Sequence, residues 1–179
     1  SNTGGNNLHR NVIFRDDGDR ASQVLPFTVY PPLGSDDPAS LWKWMAAYEE
    51  KTGGSVLAIA HNGNLSNGAM FALTDSDGKP ITRAYAETRE RNERLTEIVQ
   101  TKGQSETNPG VAPNDEFAGF ELWTKPVAGP GTVKVVESNY VRNAFGNGLA
   151  IEQRMGANPF KYGVVGGGDE PRVRPHAVP

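Results

Sequence analysis

Residues 55–60, SVLAIA, constrain this chain more than any other stretch: six residues without alternation, stopping at His61-Asn62-Gly63-Asn64. A strand with one wet face alternates apolar and polar side chains. A short unbroken apolar run bounded by turn residues suits a strand buried on both faces, as inside a parallel sheet. Such a sheet needs helices to cover it, and the segment just upstream supplies one over Pro38–Thr52. Asp36 or Asp37 can cap its start, Pro38 fits the first helical position, and Gly53-Gly54 stops it. Leu41, Trp44, Met45 and Tyr48 fall at i, i+3, i+4 and i+7, an apolar stripe for packing on a sheet or another helix.

The same alternation of elements runs along the chain. Residues 9–14 (HRNVIF) predict a short strand, and residues 23–34, with three prolines, an extended loop. The mixed-charge run at 83–94 predicts a solvated helix over 83–93, and residues 97–101 (EIVQT) a further strand. Residues 102–116 are irregular and polar. A third helix is expected over 137–155, weakened by Gly146 and Gly148, before a last strand at 161–165 (KYGVV) that runs into Gly166-Gly167-Gly168-Asp169. Strands alternating with helices predict an α/β fold with a parallel sheet. No internal repeat or low-complexity block interrupts it.

Composition narrows the functional classes. The net charge is −3, and the positive residues are dispersed, so no basic face for nucleic acid is expected. No apolar run approaches the roughly 18 residues that a membrane span requires. The polar stretch over residues 1–10 does not read as a signal peptide, and the compartment is left open. There are no cysteines, which removes disulfides, thiolate nucleophiles and cysteine-ligated metals; any metal must be held by His, Asp, Glu or Asn, favouring Mn, Zn or Fe(II). Nucleophile-elbow, Walker and dinucleotide-binding glycine motifs are all absent from the sequence.

In parallel α/β folds, functional residues gather at the C-terminal ends of strands. His61 follows the SVLAIA strand and Asp169 the KYGVV strand. His61 reads either as a metal ligand or as a histidine bonded to the loop it starts. Asp169 reads either as a ligand or as part of an ordinary Gly-Asp turn. His9 opens the first predicted strand beside Arg10, whose guanidinium can clamp an anion bidentately or simply sit at the surface. Glu106, Asp115, Glu116 and Glu121 read as solvated loop charge, and His176 lies in a tail, residues 170–179, expected to be flexible.

Four segments taken in order carry a resemblance: SNTGGNNLHRNVIFRD, EEKTGGSVLAIAHNGNLSNG, KGQSETNP with NDEFAGFE, and NPFKYGVVGGGD. Together they resemble the bacterial DUF3604 family, whose members are related to the PHP (polymerase and histidinol phosphatase) metallohydrolases. The resemblance covers residues 1–169 and implies part of a distorted (β/α)7 barrel with divalent metals at the C-terminal strand ends. It aligns His9 with the first of two separated histidine ligands, His61 with the second, and Asp169 with the aspartate of the closing DxH motif. Pro171 stands where that motif has its histidine, and the family's HxH pair, HxD and Glu would lie before Ser1.

The activity implied is metal-dependent hydrolysis of a small anionic phosphoester, with Arg10 and Arg15 as candidates for holding the anion. The alternative is a non-catalytic module that keeps the fold and at most one metal. An incomplete barrel exposes strand edges, so a homo-oligomer is expected. Members of such a family can be exported, which the sequence neither requires nor excludes.

Overall fold

The computed structural model describes residues 8–126 and 130–167. Five strands, β1 (Arg10–Phe14), β2 (Val56–Ala60), β3 (Leu95–Gln100), β4 (Gly103–Gln104) and β5 (Gly163–Gly166), form one sheet. The helices are α1 (Gly18–Ala21), α2 (Pro38–Thr52), α3 (Arg83–Asn92) and α4 (Val141–Met155), with 3-10 turns at Gly63–Leu65 and Glu137–Asn139.

Helix α2 forms where its signals place it. Asp37, rather than Asp36, is the cap, accepting the Ala39 N–H at 3.0 Å, and Gly53 ends the helix in the left-handed region at φ 64°. Leu41, Met45 and Tyr48 are buried as the stripe requires; Trp42 is buried with them, whereas Trp44 is only partly covered. Helix α3 departs from the expected solvated helix, because Ala86, Arg89 and Asn92 form a buried face.

β2 is the covered central strand that the SVLAIA run predicts, and β2, β3 and β5 are parallel. The expected all-parallel arrangement is corrected at two strands. β1 pairs antiparallel with β2, Arg10 opposite Ala60 and Phe14 opposite Val56, and β4 folds back on β3 as a hairpin. β1 alternates half-buried and exposed residues, the pattern of an edge strand, and an antiparallel edge on an otherwise parallel sheet is a common combination. The sheet is open, so the described residues do not make a closed barrel.

Two apolar clusters hold the helices to the sheet. One joins Leu41, Trp42, Met45 and Tyr48 of α2 to Val56 and Ala58 of β2. The other joins Ala86 of α3 and Val141, Ala144 and Ile151 of α4 to Ala60, Phe71 and Phe160. Between them lies a buried charge cluster. Glu93 accepts from Arg10 Nε at 2.8 Å, Trp42 Nε1 at 3.0 Å and Arg89 Nε at 3.2 Å, while Arg89 donates to the Met70 carbonyl at 2.8 Å. Burial alone would raise the Glu93 carboxyl, but the two guanidinium groups and the hydrogen bonds from Arg10 and Trp42 outweigh it and hold the carboxyl below its ordinary value.

Glu93→Ala strands two buried guanidinium groups and is expected to destabilise the fold by about 3–5 kcal/mol in denaturant unfolding. A loss below 1 kcal/mol would show that the cluster is not structural. The two α4 glycines differ in kind. A Cβ at the exposed Gly146 meets nothing within 4 Å, whereas one at the buried Gly148 lies 2.3 Å from Asn158 Oδ1. Gly146→Ala is therefore expected to raise stability by about 0.5–1 kcal/mol, and Gly148→Ala to lower it; thermal unfolding of the pair checks both signs.

Candidate functional site

The antiparallel pairing of β1 decides which sequence-predicted residues meet. His9 precedes the start of β1 and His61 follows the end of β2. Because the strands run in opposite directions, both histidines lie on one rim, joined by a hydrogen bond from the His61 N–H to the His9 carbonyl at 3.1 Å. Their rings are parallel within 5°, with centroids 6.4 Å apart. Had β1 been parallel to β2, a histidine at its start would sit at the far end of the sheet.

β3 brings a carboxylate to the same place. Thr96 pairs with Ala60, which packs among the helices, so alternation turns Glu97 to the opposite face. Glu97 Oε2 lies 2.8 Å from His61 Nδ1 and accepts the Asn62 N–H at 3.3 Å. The register between β3 and β5 slips between Glu97 and Val99, an irregularity of the kind that re-aims side chains beside functional sites. His61 and Glu97 are both buried, while His9 stays exposed at the mouth.

The polar turn after His61 is buried too. Asn62 takes a left-handed backbone at φ 58°, and its side-chain oxygen accepts from Gln100 Nε2. Asn64 receives the Ser105 hydroxyl at 2.9 Å and donates to the Lys102 carbonyl at 2.9 Å; Asn139 Nδ2 donates to the Asn64 carbonyl at 3.4 Å. Side chains thus satisfy groups that water would serve in an exposed turn, and His61 is held on a fixed support.

Partial burial of the ring, followed by neighbouring cations that include His61, Lys102 and Arg10, lowers the His9 pKa below its ordinary 6.5. A neutral imidazole at pH 7 keeps a lone pair for a metal. Burial also lowers Lys102, with the Glu97 charge acting against it. Lys102 therefore stands within electrostatic reach of both His9 and Glu97, a cation at the rim suited to an anion.

The donors fit a divalent cation in part. Two donors each about 2.0–2.2 Å from one metal and set at a right angle lie roughly 3 Å apart, close to the 2.8 Å between His61 Nδ1 and Glu97 Oε2. Among the described residues no group of three or more His, Asp or Glu side chains is gathered closely enough to hold a metal. Asp169, expected as the third ligand, lies outside the described residues, as do Pro171 and His176. Arg10, expected to hold the anion, directs its Nε to Glu93, and its side chain is only 4% exposed. Glu106 and Asp115 pair instead with Arg142.

The family model described as "Protein of unknown function (DUF3604)" matches residues 1–174. The chain belongs to the DUF3604 family. That match takes in His9, Arg10, His61, Glu97 and Asp169 alike. No curated protein and no solved structure matches the chain. For this DUF3604 domain, the geometry at the rim therefore carries the functional argument.

Two members of the rim, Glu97 and Lys102, were not singled out in the sequence. The signal for Glu97 was available: an acid inside a β-rich run must be paired or placed at a site, because burying it alone is costly. Lys102 gave no comparable signal, since lysines are ordinary in polar loops. His9 is expected to titrate below 6.5 when followed by NMR, and Lys102→Met to raise that midpoint. An unchanged midpoint in the variant would remove Lys102 from the site.

Proposed function

We propose that this DUF3604 domain is a metal-dependent phosphoesterase of the PHP type, with its cation held at the His9–His61 rim. The observation that carries the reading is the close approach of a buried imidazole nitrogen and a buried carboxylate beside a second histidine. His61 Nδ1 and Glu97 would supply two ligands, and His9 and Asp169 are candidates for the remaining positions. Mn, Zn or Fe(II) suits such nitrogen and oxygen donors.

When bound, a divalent cation lowers the pKa of water at neutral pH and offsets phosphoryl charge. The chain's own groups have separate tasks. Glu97 would face the cation beside His61 Nδ1, and its carboxylate is held in place by the Asn62 N–H. Lys102 offsets charge on the phosphoryl oxygens as it builds up. In the overall reaction, a water oxygen forms a bond to phosphorus and the P–O bond to the organic group breaks. The departing oxygen takes a proton, leaving an alcohol and inorganic phosphate. Arg10 has no step here, because its guanidinium is committed to the buried cluster around Glu93.

A second reading is a non-catalytic module with at most one metal, favoured by the lack of a gathered three-donor group among the described residues. The two readings separate in one experiment. Under the hydrolase reading, titration calorimetry finds Mn or Zn binding in the intact chain, and His61→Ala and Glu97→Gln each weaken it at least tenfold. The metal-loaded protein also hydrolyses simple phosphomonoesters. Metal binding without hydrolysis would support the module, and unchanged metal affinity in both variants would remove the rim as the metal site.

A further inference from the structure

The rim histidines form one end of a cavity of about 680 Å³, within the size range of small-molecule sites. It runs along β1, between that strand, the start of α2 and the loop at residues 22–37. Its walls are mostly aromatic and aliphatic: Phe14 and Val12 of β1, Leu41 and Trp44 of α2, and Val24 and Phe27 of the loop. Trp44 meets Phe14 edge-on at 6.1 Å and Phe27 at 6.1 Å with a 55° tilt, so three rings line one space. The loop wall is fastened where Trp44 Nε1 donates to the Leu25 carbonyl at 3.0 Å, and closed where Thr28 bridges to Gly34. Acidic groups, Asp36 and Asp37, stand at the end where α2 begins.

A hydrolase of a sugar phosphate or other polyol ester would need hydrogen-bonding groups along this wall. The wall has a few, in Asn11, Ser22, Thr28 and Ser35, but it is mostly apolar, and its three rings offer faces and edges that favour a flat apolar group and give geometry-dependent attraction to another aromatic ring. From this continuity between the ring-lined cavity and the rim, we propose that the organic part of the substrate is aromatic: a phosphoester with its phosphoryl group at His9, His61 and Lys102 and its aryl group against Phe14, Phe27 and Trp44. The assignment rests on the hydrolase reading above and adds the substrate class to it.

The test compares benzyl phosphate with ethyl phosphate, which have similar leaving groups and differ in the ring. The full chain loaded with Mn is expected to show a kcat/KM at least tenfold higher for benzyl phosphate, carried by KM. Independently of turnover, benzyl phosphate is expected to shift the indole N–H resonance of Trp44 in NMR spectra, identified with Trp44→Phe, and ethyl phosphate to leave it in place. Phe27→Ala is expected to lower the benzyl-to-ethyl selectivity ratio about tenfold. Val24→Trp, which fills the cavity instead of emptying it, is expected to lower the same ratio, so a folding defect in one variant does not spare the proposal. Equal kcat/KM for the two esters, with no response from Trp44, overturns the aromatic assignment and leaves the hydrolase reading standing. Absence of metal binding and of hydrolysis of either ester overturns the hydrolase reading, and the aromatic assignment with it.

Discussion

The antiparallel pairing of β1 with β2 is the constraint on which the rim depends. Strand direction is a discrete choice: the side chain before the first residue of an edge strand falls either beside the end of its neighbour or a strand length away. Here that choice sets the His9 carbonyl against the His61 N–H and lines up the two imidazoles. β3, parallel to β2, then adds Glu97 from the other side. Three segments far apart in sequence thus contribute to one edge of the sheet through backbone pairing alone.

Keeping β1 in place falls to charge as well as apolar contact. Its helix-facing residues Val12 and Phe14 pack against α2, but Arg10 reaches Glu93, and through it Arg89 and Trp42. A buried ion pair adds little net stability against a hydrophobic alternative, yet it is unforgiving of misplacement, because each displaced charge loses its compensation. Apolar residues on a short edge strand tolerate a slip of register more readily than a guanidinium that must find one carboxylate. The cluster therefore fits a role in fixing where β1 lies, and so where His9 lies.

Much of this was legible in the residues, and the exceptions have physical causes. Helix α2 carries its own start and stop in Asp37, Pro38 and Gly53, and the SVLAIA run declares a covered strand, because those signals are local. His61 could be placed at a strand end for the same reason. The direction of β1 was not legible, since five residues of an edge strand look alike read either way. Arg10 was misleading for a related reason: its partner is 83 residues away. The turn at 61–64 is polar in composition, and nothing local shows that side-chain amides from β3 and from Asn139 take the place of water around it. Helix α3 looked exposed because its charges are numerous, though two of them, Arg89 and Glu93, neutralise one another indoors. For β1, Arg10 and the turn the pairing is non-local; Arg89 and Glu93 are only four residues apart, but their burial is set by partners outside the helix, Arg10, Trp42 and the Met70 carbonyl.

The loop over residues 22–37 is built differently from the rim it adjoins. It touches α2 through polar tethers, such as Trp44 to the Leu25 carbonyl and Lys51 to the Gln23 carbonyl, and through Val24 and Phe27 at the margin of the α2 cluster, and it adds no strand to the sheet. Its length and side chains can thus drift over generations without moving either imidazole. A scaffold arranged this way lets kindred proteins exchange one appetite for another while keeping the same reactive edge.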